Sequence, residues 1–183
     1  MTALHDDAVR LLTGWTATSA EAEKARLRTL DLLAAGPVAM TREHAPGHVT
    51  ASTMIARPDG RLLLCLHGRL NMWMQVGGHC EPGDESLVAA AAREAREESG
   101  LAGLVFDPVP IDLHIHPVPC KPSGQTHHFD VRFLAVAPAG AVEQVSDESA
   151  ALGWFRPEAL PEPLADGVTG QIGPAISRLR SGG

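Results

Sequence analysis

The chain lacks any long apolar run: the most plausible candidate, Leu62 to Leu66, is far too short to cross a membrane. Its first ten residues, MTALHDDAVR, lack a basic stretch followed by an apolar one, so no secretory signal is expected. Cysteine is scarce. Cys65, Cys80 and Cys120 form no CxxC and are odd in number, which excludes a disulfide framework and points to reduced thiols in the cytoplasm. Positive charge is also short. A formal net charge of −7 argues against a protein that grips a nucleic-acid duplex, which would carry a basic stripe. It does not exclude a phosphate-bearing small molecule, because a bound cation supplies positive charge locally. Internal repeats and linkers are absent too, so the expectation is one domain over 1–183, with a helical extension at 1–36 and a core at 37–183.

What the chain does have is concentrated between Gly77 and Leu101, GGHCEPGDESLVAAAAREAREESGL. Glycine and proline make GGHCEPGD a loop. Helix formers dominate from Glu85, and Gly100 supplies the stop. At roughly 100° per residue, Val88, Ala91, Ala92, Ala95 and Ser99 form a stripe of small or apolar side chains. Glu94, Glu97 and Glu98, at i, i+3 and i+4, gather on the adjoining face. Their mutual repulsion, at the helix end whose dipole favours cations, costs stability that Arg93 and Arg96 relieve only in part. A solvated acidic face is the ordinary explanation of such a pattern. With a glycine loop ahead of the helix, a hard divalent ion coordinated by the carboxylates is the better one.

These residues resemble the signature of the Nudix hydrolases: glycine, five residues, glutamate, seven residues, then Arg-Glu-apolar-any-Glu-Glu-any-Gly-apolar. Arg93-Glu94-Ala95-Arg96-Glu97-Glu98-Ser99-Gly100-Leu101 matches the second half, and Glu85 precedes Arg93 by the expected interval. Six residues, not five, separate Gly78 from Glu85. Placed near Gly83-Asp84, the extra residue only widens a turn; inside the helix it would rotate the carboxylates by roughly 100°. The first acidic position is left between Asp84 and Glu85. Val76 stands where the family usually has proline.

The resemblance implies an α/β Nudix fold, a mixed, largely antiparallel sheet sandwiched between helices. It implies a hydrolase that cleaves a diphosphate linkage in a small molecule of the nucleoside diphosphate-X type, using Mg²⁺ or Mn²⁺. Glu94, Glu97 and Glu98, with Glu85, match the metal ligands; Glu97 and Glu98 carry the catalysis, and Arg93 braces the carboxylates. Glu148, in the loop before Trp154-Phe155, takes the place of a base or further ligand. Trp73 and Gly78 join the substrate-binding candidates. Two alternatives stand beside this one: a Nudix-fold isoprenoid diphosphate isomerase, for which Cys80 is the nearest cysteine to the motif, and a nucleotide-sensing protein without turnover. Many dinucleoside polyphosphate hydrolases of the family carry a marker tyrosine, and this chain has no tyrosine.

Outside the signature, helices are expected at residues 3–12 and from a Thr18/Glu21 capping box to Ala35, ended by Gly36-Pro37. Packing on the core, a homodimer contact and shaping the substrate cleft are the three roles open to them. Strands are expected at 48–57 and 61–66 around the Pro58-Asp59-Gly60 turn, then at 105–106, 111–118, 127–136 and 151–155, with a terminal helix at 174–180. Period-two alternation puts Asp112, His114 and His116 on one face of their strand and His128, Asp130 and Arg132 on one face of theirs. If the two strands pair as a hairpin around a long 117–126 loop, these six side chains share a wall. His114, His116, His128 and Arg132 are therefore substrate-binding candidates, with a histidine metal site and a plain solvent surface as the other readings.

Overall fold

A computed structural model of the chain describes residues 1–120, 124–146 and 149–181. In chain order its elements are α1 (Thr2–Gly14), α2 (Ala20–Leu33), a 3₁₀ turn (Pro37–Met40), β1 (His48–Ala56), β2 (Leu62–His67), β3 (Trp73–Met74) and β4 (Val76–His79). There follow α3 (Leu87–Ser99), β5 (Val105–Phe106), β6 (Asp112–Cys120), β7 (Gly124–Val136), β8 (Ser149–Phe155) and α4 (Val168–Ser181).

The sheet is built on β1, whose nine residues are all buried. Its β-branched Val49, Thr50, Thr53 and Ile55 suit a strand covered on both faces. Along one edge β7 runs parallel to it, from His48 opposite His128 to Ala56 opposite Val136. The other edge is divided: β4 pairs with Thr50–Thr53 and β2 with Ile55 and Ala56, both antiparallel. Strands β3 and β8 extend the sheet beyond β2, and β5 and β6 lie on the far side of β7, all antiparallel. Helices cover both faces, which is the α/β sandwich expected from the sequence. Val49 and Ala51 pack with α1, α2 and the Leu87, Ala90 and Ala91 side of α3; Met54 and Ala56, pointing oppositely, pack with Val168 and Ala175 of α4.

Several boundaries differ from expectation for local reasons. The α2 cap is Ser19, whose side chain accepts from the Ala22 N–H; the Thr18 hydroxyl donates instead to the Ile111 carbonyl. Helix α3 starts at Leu87 because Ser86 caps it, and Gly100 ends it in the left-handed region at φ 67°. Its buried stripe is Leu87, Ala90, Ala91, Ala95 and Ser99, rotated from the expected one, so that Val88 and Ala92 are only half-buried. The hairpin ladder continues through Pro117 and Pro119 to Cys120 opposite Gly124, so both ends of the expected 117–126 loop are strand; residues 121–123 lie outside the described residues. Strand β6 has β7 as its sole ladder partner among the described residues, and proline is tolerated on such an edge when its missing donor faces away. Helix α4 begins six residues before Pro174, because Val168, Gln171 and Ala175 bury one face and outweigh the hydrogen bond the proline removes. The sequence also suggests a disordered tail at 181–183, but Ser181 is the last residue of α4, and residues 182–183 lie outside the described residues.

The N-terminal helices are tied to the core by a contact no local pattern announces. Asp7 of α1 accepts from the Leu87 N–H at 2.9 Å, so α1 helps cap α3. Beneath α4, one cation is almost wholly enclosed. Arg132 of β7, with its side chain 1% exposed, donates to Asp130 at 2.9 Å, to Asp112 at 3.2 Å and to the Gly167 carbonyl at 2.7 Å. Thr50 and Ser52 complete the shell by donating to Asp130. Burial opposes the Asp130 charge, yet Arg132 beside it holds the carboxyl below its ordinary range. Because its folded pKa is depressed, its stabilising share is present above pH about 4 and is lost as pH falls through the folded value. Asp130→Asn is expected to cost about 3–5 kcal/mol, since it strands a buried guanidinium. Urea titrations of both proteins between pH 7 and 3 measure the loss, and the variant should lack the acid-side slope contributed by Asp130.

Candidate functional site

The expected signature residues meet where β4 feeds the loop into α3. Gly77 and Gly78 are required for two close approaches. A Cβ on Gly77, which has φ 149°, would overlap the Cβ of Ser52 on β1. A Cβ on Gly78, on the opposite face of β4, would stand 2.7 Å from the Glu94 carboxyl. Small residues on α3 let that carboxyl come so close: Ala90, Ala91 and Ala95 are fully buried against the sheet, and the Thr53 hydroxyl reaches the Ala91 carbonyl at 3.3 Å.

Arg93 ties the carboxylates together. It bonds Asp84 through Nε and Nη2 at 3.1 Å each, Glu94 at 2.9 Å, Glu97 at 3.1 Å and the His79 carbonyl at 2.8 Å. Glu81 lies at the edge of this group, 4.0 Å away. The Asp84 bonds are the first reason the guanidinium holds its proton more tightly than usual, with burial opposing and Glu94 adding. Asp84 is buried and Glu85 exposed, so the guanidinium takes Asp84, and Glu85 stands outside the network. Glu98 accepts from the Gly77 N–H at 3.0 Å, and Glu97 remains mostly exposed. The structure thus brings together Gly78, Arg93, Glu94, Glu97 and Glu98. Trp73 is elsewhere: it packs edge-on to Phe155, ring centroids 5.0 Å apart, within the cluster under α4. Glu148 lies outside the described residues.

Four negative groups around one guanidinium leave excess negative charge, and all donors are hard oxygens, which fits a divalent Mg²⁺ or Mn²⁺ ion. The closest gathering of three ligand atoms among the described residues, however, is of imidazoles. His48, His79 and His128 bring their nitrogens within 4.8 Å of one another.

The histidine wall forms as the alternation suggested. Strands β6 and β7 pair antiparallel, with Asp112 opposite Arg132, His114 opposite Asp130 and His116 opposite His128. It is not a solvent face: His114, His116 and His128 are half-buried, and His114 packs on the backbone of Gly167. Two histidines that the alternation did not place there complete it. Parallel pairing sets His48 beside His128, and β4 sets His79 opposite Thr50. Burial is the main cause that lowers all five imidazoles, His48 and His79 to about 4 and His128 to about 3, so the wall is neutral near pH 7.

A mixed sheet between helices thus sets a glycine turn against the carboxylates of the following helix. Comparison with known sequences and structures supplies the family. The NUDIX domain profile matches residues 46–174, and the chain belongs to the Nudix family as a Nudix phosphohydrolase. A MutT-like protein of Streptomyces ambofaciens is 28% identical over 118 residues, 64% of this chain and 70% of that protein. The MutT NUDIX hydrolase of Burkholderia pseudomallei superimposes with a TM-score of 0.56 at 26% identity, covering 69% of this chain and 96% of its own. A C. elegans Ap4A hydrolase shares the fold with a TM-score of 0.58 at 20% identity, over 74% of this chain and 98% of its own.

Gly78→Ala tests the close approach directly. Its Cβ must displace the Glu94 carboxyl, the far end of a flexible side chain, so the fold should survive with a melting temperature within a few degrees of wild type. Misplacing a carboxylate by about 1 Å should lower kcat/KM by roughly 100-fold. Equal turnover in the two proteins would remove Glu94 from the site.

Proposed function

We propose that the protein hydrolyses the diphosphate linkage of a nucleoside diphosphate-X substrate by attack of water on phosphorus, with Mg²⁺ or Mn²⁺. The observation that carries this reading is the apposition of Gly78 to Glu94, within a set of carboxylates held in surplus around Arg93. Glu94, Glu97 and Glu98 would hold the ion, which supplies Lewis-acid screening of the diphosphate and an acidified water. The chain's own residues do the positioning. Arg93 fixes Glu94 and Glu97 relative to the loop, and the Gly77 N–H orients Glu98. Glu148 is our candidate for the general base, on its place in the sequence. Neutral imidazoles at His114 and His116 offer N–H groups to phosphate oxygens, and Arg132, committed to Asp112 and Asp130, serves them as a support.

The isomerase alternative is less favoured, because Cys80 is buried and its thiol is pushed up to about 12, mainly by burial. The sensor alternative leaves the repelling carboxylates without a purpose. We read the chain as one domain, since α1 and α2 share a hydrophobic cluster with β1 and β7. We place it in the cytoplasm, a reading supported by two buried free thiols, Cys65 and Cys80. Among the described residues no helix is long and apolar enough to cross a membrane.

A Mg²⁺-dependent phosphate-release assay over a panel of dinucleoside polyphosphates, nucleotide sugars and isoprenoid diphosphates decides among the three. Hydrolysis of one nucleotide class is expected; isomer formation or binding without turnover would overturn the reading. Glu97→Gln and Glu98→Gln should each lower kcat by about two to three orders of magnitude, the loss of several kcal/mol of activation, without lowering the melting temperature. For the wall, a His114→Ala, His116→Ala double variant should raise KM roughly tenfold, the worth of two hydrogen bonds, with an unchanged Mg²⁺ dependence. Wild-type KM and kcat in that variant would detach the wall from the substrate.

A further inference from the structure

We propose that His48, His79 and His128 form a second metal site, for a borderline transition ion with zinc foremost, distinct from the carboxylates of α3. The three imidazoles come from three adjacent strands, β1, β4 and β7. Their ring centroids lie 5.1 Å (His48–His79), 4.9 Å (His48–His128) and 4.8 Å (His79–His128) apart, and a ligand nitrogen of each falls within 4.8 Å of the others. A tetrahedral ion with bonds of about 2.0–2.1 Å needs nitrogens about 3.4 Å apart, so small ring rotations close the site without moving a strand.

Two further observations point the same way. His128 Nε2 is buried and has no hydrogen-bond partner among the described residues, so it lacks what an ion would supply. The donor class also separates the two sites: imidazole suits zinc, copper and nickel, whereas Mg²⁺ keeps to oxygen. Arg42, whose charge disfavours protonation of His48 and His79, opposes a dication there; Asp130, two residues from His128, acts in the opposite sense on that ring. Three protein ligands leave a fourth position, and the His116 ring lies 5.5 Å from that of His128. Such a site would clamp β4 to β1 and β7 one residue beyond Gly78, and so couple its occupancy to the glycine turn of the hydrolase site. The proposal itself rests on the imidazoles and stands without the hydrolase reading.

The test uses the full chain stripped with a chelator and titrated with Zn²⁺ and Co²⁺ in excess Mg²⁺, followed by calorimetry and by visible absorption. One Zn²⁺ per chain is expected, undisplaced by Mg²⁺, and Co²⁺ should show the intense bands of a low-coordinate nitrogen site. His48→Gln, His79→Gln and His128→Gln should each weaken Zn²⁺ binding at least about 100-fold, since removing even an outer-shell partner costs 10–100-fold. A Glu94→Gln, Glu97→Gln, Glu98→Gln triple variant should retain the stoichiometry. Zinc lost in the carboxylate variant but kept in the histidine variants would overturn the proposal, as would weak octahedral Co²⁺ bands in the wild-type chain. The spectrum decides the matter even if a histidine variant fails to fold.

Discussion

Mutual repulsion of carboxylates at the end of α3 is the constraint around which this molecule is arranged. Asp84, Glu94 and Glu97 all lie within 3.1 Å of Arg93, and one guanidinium cannot neutralise three carboxylates. The fold contains the surplus by geometry. Alanines bring the helix down onto β1, the missing Cβ of Gly78 leaves room for the Glu94 carboxyl, and a backbone N–H from Gly77 takes Glu98. These devices come from α3 and β4, and the loop between them supplies Asp84 to Arg93, so the site exists only once all three are in place. A helix strained in this way is held by tertiary packing, to which α1 contributes through Asp7 at its N-terminus.

The opposite face of β1 poses the reverse problem. There the sheet buries polar groups, and around Arg132 it does so by pairing them. Arg132, Asp130, Asp112, Thr50, Ser52 and Gln75 form one connected network, extended to Gln171 of α4 by its bond to Gln75 at 2.8 Å. Networks of this kind are costly when broken, and they specify one arrangement of strands and helix. The register of β7 against β1 is therefore fixed twice, by apolar side chains toward α1–α3 and by this network toward α4.

What the sequence made legible follows the range over which its signals act. The run from Arg93 to Leu101, the stop at Gly100 and the alternations in β6 and β7 are local, and the structure keeps them. The first acidic position was open in the sequence because a one-residue loop insertion alters spacing without showing which side chain turns inward; burial selects Asp84 as the partner of Arg93. Thr18 and Ser19 both suit a cap, and only the distant Ile111 carbonyl decides between them. Trp73 had the residue type for base stacking, but its neighbour Phe155 comes from a strand eighty residues on. His48 and His79 carry no pattern that marks them. His48 meets His128 through the parallel pairing of β1 with β7, a contact across eighty residues that no period in the sequence encodes, and His79 joins them through the pairing of β4 with β1.

Strand β4 connects the two problems. Along it, Gly78 faces the helix and its carboxylates while Gly77 and His79 face the polar side of the sheet, as the period of two requires. The His79 carbonyl accepts from Arg93 while its ring joins His48 and His128, so one residue touches both assemblies through different atoms. Four residues of strand thus separate a hard-oxygen environment from a nitrogen one. A displacement of β4 is felt on both sides, because Ser52 blocks Gly77 on one face and Glu94 blocks Gly78 on the other. Rigidity at this strand, rather than any single side chain, is what keeps the carboxylates and the imidazoles in register with each other.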